Sequence, residues 1–166
     1  NKQALSVSKA RNRLVLGKAK YHGLGAGGDP RIGTAAAILS EDEIREAIKG
    51  ANMVFIAAGM GGGTGTGASP IIARIAREEG ALTIAIVTRP FTFEGRNRSA
   101  AAIEGLNSLK EEVDSIIVVS NDKLLMMNGN ASLGNAFANS DRVLAQSVKT
   151  VADLIMMTGI INLDFA

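Results

Sequence analysis

The sequence predicts an α/β fold in which a mainly parallel sheet is covered by helices and followed by one long helix. Three observations carry this. The runs Met53–Ala58, Leu82–Val87 and Ser115–Val119 are almost continuously apolar instead of alternating, as strands buried on both faces are. Segments with helical spacing of apolar residues separate them. A glycine-rich loop follows the first run directly, at the carboxyl end of a strand, where ligands bind in such sheets.

Taken in order, Gln3–Ser8 reads as a short helix and Arg13–Leu16 as a short strand. Tyr21–Pro30 is a glycine-rich loop leading into the helix Ile32–Leu39, with Asp29 as N-cap and Pro30 in the first turn. The helix Glu41–Lys49 is capped by Ser40, with Glu43 in capping-box spacing, and Gly50 closes it. The strand Met53–Ala58 precedes the glycine run, and the helix Ile71–Glu79 ends at Gly80. Leu82–Val87 is the second buried strand, Ser99–Glu112 a helix, and Ser115–Val119 the third strand. Asn121–Met127 reads as a short helix and Asn128–Asn130 as a turn. Asn135–Met156 is one long helix, with Phe137, Leu144, Val148, Val151, Leu154 and Ile155 near helical spacing. The methionine pairs Met126-Met127 and Met156-Met157 read as core filling, and His22 as structural.

The chemistry concentrates in Gly59-Met60-Gly61-Gly62-Gly63-Thr64-Gly65-Thr66-Gly67-Ala68-Ser69-Pro70. Glycine forfeits backbone entropy in helix or strand, so this run is expected to be loop, with Pro70 in the first turn of the helix beyond it. Strand, glycine loop and helix N-terminus together present bare N–H groups and the positive end of a helix dipole to an anion, most simply a phosphate. The run fits P-loop spacing except that Ala68 stands where the lysine belongs. Gly63, Gly65 and Ala68 also satisfy the looser dinucleotide pattern, but the following strand ends in Thr88-Arg89, not in an acid for a ribose hydroxyl. The second loop, Gly23-Leu24-Gly25-Ala26-Gly27-Gly28-Asp29-Pro30, repeats the same logic, and two such loops could hold two parts of one polyphosphate.

Composition bounds the alternatives. The 166 residues make one domain, 46% apolar and 20% charged, with a net charge of +2 and no basic stripe. Only 4% of residues are aromatic, too few to suggest stacking platforms for single-stranded nucleic acid. With no cysteine and one histidine, disulfides, thiolate sites and imidazole clusters are excluded, and the cysteine-free composition fits a cytosolic protein. No apolar run approaches a membrane span.

Several long motifs, in order, resemble the tubulin and FtsZ family. Gly61-Gly62-Gly63-Thr64-Gly65-Thr66-Gly67 matches the family's phosphate loop, and Gly23–Gly27 is similar to the segment lying against its terminal phosphate. The resemblance implies a three-layer, Rossmann-like GTPase domain ending in a long core helix, which binds GTP or GDP with Mg2+ held mainly through the nucleotide. It implies phosphate contacts from Ala26, Gly27, Gly28, Gly61, Gly62, Gly63, Thr64, Gly65 and Thr66. The stretch Thr88–Arg98 is similar to the loop reaching the ribose side, which implies roles for Thr88, Glu94 and Arg98; read alone, Glu94 and Arg98 are an (i, i+4) ion pair. Asn121, Phe137 and Asp141 match the family's guanine-reading residues, whereas residue by residue Phe137 also reads as core and Asp141 as a solvated charge. Asn121-Asp122-Lys123 is not the guanine motif of Ras-like GTPases. Gly159–Ala166 is similar to the loop that completes the hydrolytic site of the adjacent subunit, which gives Asn162 and Asp164 catalytic roles.

By this resemblance the chain is the GTP-binding part, residues 1–166, of a cytoplasmic filament protein that polymerises head to tail at the division site. Division proteins and membrane tethers would bind regions outside these residues, with no nucleic acid and no direct membrane insertion. The family's first strand and phosphate loop, its C-terminal domain and a second catalytic acid are expected to lie outside the sequence. Asn1 stands where the family usually carries an Asp near the metal. An NAD(P)-dependent oxidoreductase and a binding module that does not hydrolyse its nucleotide are the competing readings. A long helix of some twenty residues would carry Asp164 about 30 Å from the base-reading residues, too far to serve a nucleotide bound by its own chain.

Overall fold

The computed structural model describes residues 1–127 and 132–156. The elements are α1 (Lys2–Ser6), α2 (Lys18–Tyr21), α3 (Pro30–Ile38), α4 (Glu41–Ile48), β1 (Met53–Gly59), α5 (Thr64–Glu78), β2 (Leu82–Arg89), a 3-10 turn (Thr92–Glu94), α6 (Arg96–Glu111), β3 (Ser115–Ser120), α7 (Asn121–Met127) and α8 (Leu133–Met156). The three strands form a parallel sheet in the order β1-β2-β3, with Gly59 opposite Thr88 and Arg89 opposite Ser120. Their carboxyl ends are therefore level.

β2 is buried from Thr83 to Thr88, which explains its continuous apolar run. Ala85 and Val87 join Val54, Ile56, Ala58 and Ile116 in a core formed with Ala73 of α5 and Ala102 and Leu109 of α6. Successive strand residues point to opposite faces, so Ile84 and Ile86 face away from these helices. α8 packs against β2 and β1. The result is three layers: α5 and α6, the sheet, and α8. A second core, built on Ala37, Ile44, Ala68 and Ile75, fastens α3 and α4 to the outer side of α5.

Where α3 crosses α5 their backbones touch. A Cβ on Gly33 would collide with the Gly63 carbonyl, and one on Gly67 with the Pro30 carbonyl. The Thr34 hydroxyl donates to the Gly67 carbonyl at 3.0 Å across the same crossing. Farther along, Arg45 of α4 donates to Glu41, Glu78 and Glu79 at 3.1, 2.6 and 2.7 Å, and Arg74 reaches Glu41 at 3.2 Å. The Arg45 guanidinium holds the Glu78 carboxyl below its ordinary value. What this pair adds to stability is thus present above the ordinary carboxylate pKa and is lost as pH falls through the lowered one.

Several expectations are corrected. Arg13–Leu16 is not a strand: it runs without regular structure into a turn, and Leu14 and Leu16 use their apolarity against the α3–α5 core. The second glycine loop consequently follows a helix, α2, instead of a strand. Ser40 does occupy the N-cap position of α4 but makes no side-chain cap bond there; its hydroxyl instead accepts the Gly17 N–H at 2.8 Å. α5 begins at Thr64, so Gly65 and Gly67 are helical and Pro70 lies inside the helix, not in its first turn. Met126 and Met127 are 80% and 82% exposed on the last turn of α7, not core. The predicted turn Asn128–Asn130, Met157, Asn162 and Asp164 lie outside the described residues.

The α3–α5 crossing should be intolerant of a single methyl group. Gly67→Ala is expected to lower unfolding stability by about 1–3 kcal/mol through overpacking. Gly62→Ala, whose Cβ meets nothing within 4 Å, should stay within about 0.5 kcal/mol of the parent. Urea unfolding midpoints of the full-length protein distinguish the two; equal midpoints would show that the crossing is not tightly packed.

Candidate functional site

Two loops and the start of α7 leave the carboxyl edge of the sheet. Behind β1, Met60 N–H donates to the Thr88 carbonyl at 2.9 Å, which ties the start of the glycine loop to β2. Gly61 adopts a φ of +100°, the left-handed region that favours glycine, and its N–H donates to the buried Thr66 hydroxyl oxygen at 2.8 Å. The loop is thereby folded over the first turn of α5. That turn has Gly63 as its N-cap and receives no side-chain cap. Its leading N–H groups have no carbonyl one turn earlier and remain available beside the positive dipole end.

The glycines of this loop serve different needs. Gly63 lies against the second loop, where a Cβ would sit 2.6 Å from Ala26 Cβ and 2.9 Å from the Asp29 carbonyl oxygen. Gly65 backs onto the Gly59 carbonyl, Gly67 onto α3, and Gly61 onto the Arg98 carbonyl at the start of α6. Gly62 differs: its φ is not positive, and an added Cβ would enter open space. Packing therefore accounts for most of the glycines, and Gly62 is the position left facing outward.

The second loop meets the first but is not its electrical twin. The Asp29 carboxylate accepts the Arg31 N–H at 2.9 Å and its guanidinium at 2.8 Å, which holds the Asp29 carboxyl below its ordinary value. The N-terminus of α3 is thus capped by its own acid, while that of α5 is open. Gly27 and Gly28 are exposed with positive φ, and Ala26 is buried. A cavity of about 150 Å3 lies beside the contact, lined by Asn1, Ala26, Gly33 and Thr64 among others.

Behind β2, Thr88 is buried at the strand end. Glu94 accepts the Phe91 N–H at 2.9 Å through one oxygen and Arg98 at 2.7 Å through the other, so the predicted ion pair forms and also folds the 3-10 turn. Asp122, directly after Asn121, accepts both the N–H and the hydroxyl of Thr92, at 2.9 and 2.7 Å. The loop behind β2 is thereby clasped to the first turn of α7.

Behind β3, Asn121 is 5% exposed and accepts the Ser140 hydroxyl at 2.6 Å. Phe137, one turn earlier on α8, is 44% exposed. It meets Phe91 and Phe93 edge-on, at centroid distances of 5.0 and 6.3 Å, while those two rings stack at 4.8 Å. Phe137 is therefore neither core nor loose: it packs at a right angle on two rings while nearly half of the residue stays exposed. Asp141 is exposed on the next turn.

Glycine loops thus stand at one end of the sheet edge and Asn121, Phe137 and Asp141 at the other, with Thr88, Glu94 and Arg98 between. Two strand spacings separate the ends, about 10 Å. Sequence reasoning missed Ser140, Phe91, Phe93 and Asp122. The aromatic pair sits in a loop already singled out, but contacts spanning 19 to 46 residues leave no local signal.

A model of the Tubulin/FtsZ family, GTPase domain, matches residues 1–129. The empty FtsZ dimer of M. jannaschii superposes with a TM-score of 0.93 at 47% identity, over 98% of this chain and 48% of that one. A W319Y mutant of M. jannaschii FtsZ gives 0.93 at 46% identity, over 99% and 50%. The chain therefore spans about half the length of these relatives. CetZ1 from Haloferax volcanii, a GDP-bound monomer, shares the fold at a TM-score of 0.70 and 24% identity, over 82% of this chain and 42% of that one. A shared order of strand, loop and helix that extends over nearly the whole chain, together with the family model matching residues 1–129, shows that the chain belongs to the Tubulin/FtsZ family.

Proposed function

We propose that the chain binds GTP and GDP and belongs to a GTPase that polymerises head to tail into the filaments of a cell-division ring. The observation that carries this is the uncapped N-terminus of α5, with Gly62 facing open space, on the same sheet edge as Asn121 and the half-exposed ring of Phe137. In this reading Gly61–Thr66 and Ala26–Gly28 hold the phosphates. Thr88, Glu94 and Arg98 lie along the ribose. Phe137 stacks on the base, and Asp141 accepts from the N1–H and exocyclic amine of guanine. Adenine presents a lone pair at N1 and would be repelled. Mg2+ is held mainly through the phosphates of the nucleotide.

The oxidoreductase alternative has little behind it. β2 ends in Thr88-Arg89 where a ribose-binding acid would stand, and the family assignment points elsewhere. The reading of a module that binds without hydrolysing differs from ours only in turnover, and the catalytic loop decides it.

Asp164 follows α8 in the sequence, and a helix of 24 residues spans about 36 Å. This length supports a role for Asn162 and Asp164 in the site of a neighbouring subunit, an arrangement that generates open filaments. A carboxylate beside the terminal phosphate would orient and polarise the attacking water. Filament growth at the division site, in the cytoplasm, then couples to hydrolysis at each junction.

Two measurements on the full-length protein test this reading. Gly62→Ala leaves the fold intact but puts a methyl where the phosphate approaches, so GTP affinity should fall at least about tenfold, or about 1.4 kcal/mol. Unchanged affinity in equilibrium dialysis would remove the loop from the site. Asp164→Ala should keep GTP binding, lose most turnover, and poison hydrolysis when mixed with the parent protein. Phosphate release that stays proportional to protein concentration far below the assembly threshold would refute the two-subunit mechanism.

A further inference from the structure

Asn121 is an ambiguous reader. Its amide presents an oxygen acceptor on one side and an NH2 donor on the other, and a half-turn of the side chain exchanges them. Only a fixed orientation gives a fixed preference. The structure contains one group that supplies it: the hydroxyl of Ser140, itself 4% exposed, meets Asn121 Oδ1 at 2.6 Å in a buried contact between α8 and the start of α7. That separation is usual for O–H···O and short for N–H···O, so the amide oxygen is the atom turned toward the serine. Ser147, on the same helix, instead donates to the Val143 carbonyl one turn back at 2.8 Å. Ser140 has left that default partner for the asparagine.

We infer that Ser140 is a positioning residue for base selection: its hydroxyl pins the Asn121 oxygen inward, so that the amide NH2 is the group offered to the base. Among the described residues the Asn121 NH2 donates to no protein acceptor, and it is not among the fully buried orphans. A fixed donor suits the O6 carbonyl of guanine and opposes the amine that adenine carries at the same ring position. Ser140 thus acts beside Asp141 on the same turn of α8. Asp141 supplies an acceptor for guanine's donors, and Ser140, through Asn121, a donor for its acceptor. The inference rests on the proposal that Asn121 faces a guanine base.

The test is a set of direct GTP and ATP titrations on the full-length protein, with thermal unfolding in the absence of nucleotide to check the fold. Ser140→Ala should lower the GTP:ATP affinity ratio about tenfold, the worth of one hydrogen bond and its lost alignment. Ser140→Thr, which keeps the hydroxyl, should restore most of the ratio. Asn121→Asp can accept the serine proton but offers no donor, and should lower the ratio at least as far. If Ser140→Ala does not fold, Ser140→Cys, a weaker donor of similar size, should give an intermediate ratio, and an unchanged ratio overturns the inference. An unchanged ratio in Ser140→Ala with a reduced one in Asn121→Asp likewise overturns it while leaving Asn121 as a base reader. Equal losses in Ser140→Ala and Ser140→Thr would make the effect one of packing and also overturn it. A parent protein that does not distinguish GTP from ATP would overturn the guanine reading itself.

Discussion

The near-contact of two backbones, where α3 crosses α5, governs the glycine-loop side of this molecule. Gly33 lies on the Gly63 carbonyl and Gly67 on the Pro30 carbonyl, so neither helix can carry a side chain at the crossing. Because α3 is held this close, the loop before it is pressed against the loop before α5, and Gly63 touches both Ala26 and Asp29. Move α3 outward by the thickness of a methyl group and the two loops separate. The glycine richness of the longer loop therefore answers first to packing and only at Gly62 to open space.

That contact also creates an electrostatic contrast. Two helices begin at nearly the same place, but Asp29 neutralises one beginning and nothing caps the other. An anion entering between the loops meets the open dipole of α5 and the self-satisfied end of α3. The bond from Gly61 N–H to the Thr66 hydroxyl holds the loop before any ligand arrives, so less ordering remains to oppose binding. The Asp122–Thr92 clasp does the same on the other side of the edge.

Much of the fold was legible in the sequence because burial on both faces leaves a mark. β2 carries that mark most clearly, and Asp29-Pro30 announced α3 through cap chemistry that depends only on neighbouring residues. Arg13–Leu16 failed because a short apolar run looks the same whether it pairs with a strand or packs on a helix. Pro70 misled because proline is most at home in a first turn, yet α5 starts six residues earlier and carries it inside. For the candidate site, the residue types were visible but their partners were not. Glu94 and Arg98 announce each other by spacing, whereas Ser140 and Asn121 meet only once α8 lies on the sheet. Asn162 and Asp164 rest on motif resemblance and lie outside the described residues.

The sheet itself has a consequence for handling the molecule. Among the described residues β1 and β3 each pair with β2 alone, so each leaves one row of backbone N–H and C=O groups unmatched. Sheet edges of this kind are templates for intermolecular strand addition unless charges, prolines or a covering segment blunt them. β1, with the sequence Met-Val-Phe-Ile-Ala-Ala-Gly, has neither charge nor proline along its length. A preparation of these residues by themselves would therefore be colloidally fragile, prone to associate edge to edge through β1.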